Sequence, residues 1–89
     1  SVTVVRYAIR TEIRLITSEL AIDLARIPGL QAWSAEDLNV LAGLFVNAMI
    51  VTAESIEDAN DAKALEDIKQ TARKQLRMIA VGVAGWHST

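Results

Sequence analysis

The sequence predicts an all-α chain of three helices, with the last two forming a four-helix bundle with a second subunit. Apolar residues recur every three or four positions over long segments, which is the spacing of one helix face. One Pro and four Gly among 89 residues leave little room for a turn-rich β architecture. The segment 38–53 holds no charged residue, and a helix that is apolar on every side must be buried on every side.

The first predicted helix covers residues 2–27. Its apolar positions are Val2, Val5, Ile9, Ile13, Ile16, Leu20, Leu24 and Ile27. Pro28 and Gly29 follow directly. Because Pro cannot continue a helix and Gly suits a C-terminal turn, the helix is expected to end there.

The second predicted helix starts at Ser34 and runs to about Ala59. The Ser34 hydroxyl can cap a free backbone N–H, and Asp37 stands at the reciprocal capping-box position. Two further helices in one short chain cannot surround the uncharged segment of this helix. A partner surface is therefore predicted, most simply a second copy of the chain.

The third predicted helix covers residues 62–86, with Asp61 as its N-cap. Its apolar stripe is Leu65, Ile68, Ala72, Leu76, Ile79, Val83 and Trp86. Gly inside a helix costs up to about 1 kcal/mol relative to Ala. Close helix packing at Gly43, Gly82 and Gly85 is the expected compensation.

Charges separate by helix. Residues 33–59 carry five acids and no Lys or Arg, whereas residues 60–87 carry five bases against three acids. Opposite signs favour laying the two helices together and help to fix their register. Each exposed ion pair contributes only about 0.2–1 kcal/mol, so the apolar faces must supply most of the association energy.

Composition limits the function classes. The chain has no cysteine, which excludes a disulfide framework and a zinc knuckle. Its net charge of −2 gives no overall basic footprint for nucleic acid. The segment 38–53 is shorter than the ~20 residues of a typical membrane span and has acids at both ends. We therefore expect a soluble, cytoplasmic, single helical domain over residues 1–89, without catalytic residues, metal site, cofactor or membrane contact.

The end of the chain resembles the last helix of TetR-family transcriptional regulators. The residues that carry the resemblance are Lys74, Gln75, Leu76, Arg77, Gly82, Trp86 and Ser88. The second helix is similar to the helix before it in that family. The matching residues there are Leu41, Met49, Val51, Thr52, Ala53 and Glu54.

The resemblance implies that the last two helices pair with those of a second subunit, as a homodimer. It implies that the preceding helices line a pocket for a small effector, and that ligand binding there causes release of DNA from a repressor. The chain departs from the family in lacking the N-terminal helix-turn-helix domain. DNA would thus be bound only through a domain that is not in this chain.

Two groups of residues are the predicted sites. The effector-pocket candidates are Tyr7, Thr11, Arg14, Asn39, Gly43 and Asn47. The dimer-interface candidates are Leu41, Leu44, Phe45, Ala48, Thr52, Leu76, Ile79, Val83 and Trp86. Asn39 and Asn47 could equally form an amide pair across a subunit interface, as buried Asn does in coiled coils. The stripe of Arg6, Arg10 and Arg14 could bind an anionic effector, but a solvated face is the more common role of such charges.

The sequence leaves two other functional classes open. Small all-helical chorismate mutases are similar in length and work as intertwined dimers, with arginines on the first helix. They need converging cations, and the middle helix of this chain has none. The other alternative is a free-standing helical interaction module.

Overall fold

The computed structural model describes residues 1–87 and consists of three α-helices. They are α1 (Val2–Leu24), α2 (Ala35–Asp58) and α3 (Ala62–Gly85). No strand occurs among residues 1–87, so the predicted all-α class is confirmed. The four-helix bundle with a second subunit involves a partner and stays a prediction. Ser88 of the resembling motif lies outside the described residues.

Helix α1 ends three residues earlier than predicted. The amide of Arg26 donates to the Asp23 carbonyl and that of Ile27 to the Leu24 carbonyl, at 3.1 and 3.0 Å. These i to i−3 bonds tighten the chain ahead of Pro28, since the residue before a proline avoids helical geometry. Gly29 then takes a φ of +93°, which Gly adopts without steric cost.

The caps predicted for the other two helices are confirmed. The Ser34 hydroxyl accepts from the Asp37 amide at 3.1 Å, and Asp61 Oδ1 accepts from the Ala64 amide at 2.8 Å. Each bond satisfies one backbone donor that the first helical turn leaves open. Because these contacts join residues only three positions apart, the sequence alone predicts where both helices start.

The chain divides into two compact units, and the boundary falls inside α2. The first unit is Ser1–Val46 and the second is Asn47–His87. The first contains α1, the connecting loop and the first half of α2. The second is a helical hairpin made of the rest of α2 and α3.

Every buried apolar side chain of the described part belongs to the first unit. These residues are Leu24, Leu30, Leu38, Leu41, Ala42 and Val46. They come from the end of α1, the loop and the first half of α2, so the core is small and concentrated at one place. Residues 1–12 of α1 are all exposed, which shows that this core does not extend along the first half of that helix.

The second unit has no comparable core. No residue of α3 is buried, although its side that includes Ile68, Ala72 and Ile79 is half-buried. A two-helix hairpin covers only one side of each of its helices. The second unit therefore retains much of its apolar surface in contact with solvent.

We expect Leu41→Ala to lower the free energy of unfolding by about 2–5 kcal/mol, the usual range for deleting a buried leucine side chain. Leu41 is only 4% exposed in a core of six side chains. Urea denaturation followed by far-UV circular dichroism measures the change. Leu15, 53% exposed on α1, provides the matched control. Equal losses for Leu41→Ala and Leu15→Ala would contradict this assignment of the core.

Candidate functional site

One exposed stripe of α2 is largely apolar. Val40, Leu44 and Val51 are 60%, 51% and 55% exposed. Together with Asn47, which is also exposed, they follow the spacing of three and four residues that keeps side chains on one helix face. The uncharged segment of α2 thus has one side in the core of the first unit and another side in solvent.

Helix α3 also exposes apolar side chains on more than one side. Met78 and Val81 are 66% and 71% exposed, and Leu76 on another side is 49% exposed. A helix in the core of a monomer would direct such residues inward. Met78 and Val81 are three residues apart on one side of α3, and exposed apolar neighbours of this kind are typical of an interaction site.

A half-open groove of about 200 Å³ lies within the second unit. The residues that line it are Val51, Thr52, Ser55, Asp67, Ile68, Thr71, Ala72 and Gln75. The hydroxyl of Ser55 donates to the Val51 carbonyl at 2.9 Å. That hydroxyl is therefore engaged by its own helix. Asp67 is the one charged residue of this lining.

The groove fixes how the two helices of the hairpin are aligned. Thr52 and Ser55 from α2 share it with Ile68 and Thr71 from α3. The end of α2 therefore lies beside the beginning of α3, as expected when only three residues connect the helices. This alignment decides which charges can meet inside one chain.

Three helical glycines have open space beside them in the part of the chain that the structure describes. A Cβ built on Gly43, Gly82 or Gly85 meets no atom within 4 Å outside its own helix backbone. Within residues 1–87, therefore, no close contact offsets the propensity cost of these glycines, and close packing against a partner stays a prediction. Open backbone at Gly82 and Gly85 is accessible to another molecule.

The dimer-interface candidates fall into three groups. Leu44, Leu76 and Trp86 are exposed. The half-buried members are Phe45, Ala48, Thr52, Ile79 and Val83. Leu41 is buried in the core of the first unit. A uniformly apolar segment does not show which of its sides the chain covers itself, and the role of these residues in a dimer stays a prediction.

Several exposed apolar residues were missed in the sequence-based interface. They are Val40, Met78 and Val81, together with Val51, which appeared only in the family resemblance. Their spacing along each helix could have identified them. Val40 and Val51 lie on the side of α2 opposite Leu38 and Ala42. Met78 and Val81 lie on α3 away from its main apolar stripe.

The effector-pocket candidates do not line the groove of the second unit. Tyr7, Thr11 and Arg14 are exposed on α1, where the Thr11 hydroxyl donates to the Tyr7 carbonyl at 2.9 Å. Asn39 and Asn47 are exposed on α2, and Gly43 is half-buried. Their role in binding a small molecule stays a prediction.

The hairpin has exposed acids at the end of α2 and exposed bases further along α3. Glu54, Glu57 and Asp58 are exposed at the end of α2, and no base lies in its last turn. Negative charge is unfavourable there, because the helix dipole is negative at a C-terminus. Lys74 and Arg77 are exposed further along α3. The acids at the end of α2 would gain from a nearby positive charge.

Two further observations concern the metal site and the membrane contact, neither of which is expected from the sequence. Among residues 1–87, no group of three or more His, Cys, Asp or Glu side chains could hold a metal ion. Helix α2 is long and apolar enough to cross a membrane by length and composition. The whole helix is longer than its uncharged segment, and the expected absence of a membrane span stays a prediction. A single such helix is weak evidence for a span, because the core helix of a soluble protein passes the same test.

Comparisons with protein-family models, curated proteins and solved structures found no match to this chain.

We expect Gly82→Ala to raise the free energy of unfolding by up to about 1 kcal/mol at concentrations where the chain is monomeric. The added methyl group meets nothing within 4 Å, so only the helix propensity changes. Gly29→Ala is the control of opposite sign, because its φ of +93° strains any other residue. Chemical denaturation of dilute samples measures both changes. A destabilised Gly82→Ala monomer would show that this side of α3 is already covered.

Proposed function

We propose that this chain is the dimerisation portion, with part of the small-molecule effector-binding domain, of a TetR-like transcriptional regulator. The observation that carries the proposal is the exposed apolar surface of the hairpin. Val51, Met78 and Val81 are each more than half exposed. Burial of such side chains against a partner is favourable by about 25 cal/mol per Å² of apolar surface.

The open side of the hairpin favours a second copy as the partner, since no residue of α3 is buried within one copy. Two hairpins packed together form a four-helix bundle, in which each hairpin covers the open side of the other. This arrangement supports dimerisation more directly than it supports the rest of the proposal.

The regulatory part of the proposal rests on the resemblance of α2 and α3 to the last helices of the TetR family. Its motif residues fall mostly within the second half of α2 and along α3, the two elements of the hairpin. In this function the effector would bind near the candidates on α1 and α2. Binding would alter the equilibrium between two dimer arrangements that hold DNA-reading domains at different spacings. Such coupling requires that the effector prefer one of the two arrangements.

We expect the chain to sediment as a dimer at micromolar concentration, and Val51→Glu to convert it to a monomer. Val51 is 55% exposed on the hairpin, so a monomer tolerates the acid. A dimer would bury a charge without a partner. Leu15→Glu on α1, at similar exposure, is the matched control and should remain dimeric. Sedimentation velocity distinguishes the species. A wild-type monomer at these concentrations would remove the basis of the proposal.

Two more measurements separate the competing classes. The gene sequence upstream of the Ser1 codon should encode a helix-turn-helix segment, and its absence would favour a free-standing interaction module.

Flotation with phospholipid vesicles tests whether α2 enters a membrane. Recovery of the chain in the soluble fraction as a dimer is the expected result. Co-flotation with the vesicles would count against it.

A further inference from the structure

We propose that the first half of α1 is a docking surface for an acidic amphipathic helix of another protein. The apolar side of that helix covers Val2 and Ile9, and its carboxylates lie beside Arg6 and Arg10. The surface belongs to the first compact unit, so the inference does not depend on whether the hairpin of the second unit self-associates.

One side of α1 is covered by its own compact unit in the second half of the helix. Four side chains there follow each other at spacings of four, three and four residues, which keeps them on one side of a helix. They are Ile13, Thr17, Leu20 and Leu24. Leu24 is buried and the other three are half-buried. We call this side, continued along the whole helix, the inner side of α1.

The inner side becomes basic where the cover ends. Continued towards the N-terminus at the same spacing, it passes through Arg10 and then Arg6, which precede Ile13 by three and seven residues. Both arginines are exposed. Val2 and Ile9 lie one turn before and after Arg6, and each is more than half exposed. The first half of α1 therefore presents apolar side chains and arginines together.

These two arginines have no counter-charge on their own helix. Neither has an acid three or four residues away, and residues 1–18 contain three bases but a single acid, Glu12. Glu12 is two residues from Arg10, a separation at which helical side chains do not face each other. A partner that covered this side with apolar surface alone would bury unpaired charges, which is strongly unfavourable. The surface therefore requires a partner that supplies anionic groups.

The apolar side chains decide the class of that partner. The phosphates of a nucleic acid would pair with the arginines but would leave Val2 and Ile9 in water, without the gain from apolar burial. The first half of α1 in a second copy carries the same positive charges. An amphipathic helix supplies both components, because its apolar side chains pack between those of α1 and acids beside its apolar stripe can pair with the arginines, as flanking charges do in coiled coils.

The test measures the binding of synthetic peptides to the full chain by fluorescence anisotropy of the labelled peptide. The probe is a helix of about 21 residues, or three heptads, with Leu at the a and d positions and Glu at e and g. A second peptide has Lys in place of every Glu, and a third keeps Glu but has Ser in place of every Leu. We expect the first peptide to bind at least about tenfold more tightly than either of the others.

Charge reversal identifies the site. Arg6→Glu with Arg10→Glu should weaken binding of the acidic Leu peptide by roughly tenfold or more and make the basic Leu peptide the preferred one. That reversed preference also shows that the variant is folded. Lys69→Glu with Arg73→Glu on α3 is the matched control, since its two exposed bases have the same spacing of four residues and it changes the net charge equally. We expect less than about a threefold effect from it.

Each other outcome overturns the proposal. A wild-type chain that binds none of the peptides, or binds the acidic and basic Leu peptides equally, has no such surface. Equal binding of the two acidic peptides would show that charge alone governs binding and would point to a polyanion such as nucleic acid. Equal losses in the two charge-reversed variants would place the contact elsewhere. Self-association, measured separately by sedimentation, can hold or fail under any of these results.

Discussion

The structure depends on a mismatch between the apolar surface of α2 and the chain available to cover it. Leu38, Leu41 and Ala42 are buried by the loop and the end of α1. The opposite side of the same segment includes Leu44, which remains half exposed. A small domain buries only a modest share of its surface, and here the core is completed at one end of α2 only. Within residues 1–87, the remaining apolar surface of α2 therefore stays in contact with solvent.

This mismatch explains why α3 is amphipathic but contains no buried residue. A helix paired with only one neighbour covers one side, and its other apolar positions require a further surface. The charges support the same view. Glu54 and Asp58 end α2 where the helix dipole disfavours them, and the connection of three residues keeps Lys74 and Arg77 away from them. Apolar exposure and unmatched charge thus occur on the same hairpin.

The sequence predicted the three helices well because their boundaries are set by local chemistry. Ser34 and Asp61 cap their helices through bonds to amides three residues later, and Pro28 limits α1. The faces of α2 could not be assigned from sequence. Leu41 and Leu44 are separated by three residues within a uniformly apolar segment, and nothing local indicates which one the core takes. Helix propensity likewise shows that Gly82 is unfavourable, but it does not show whether any atom approaches that residue.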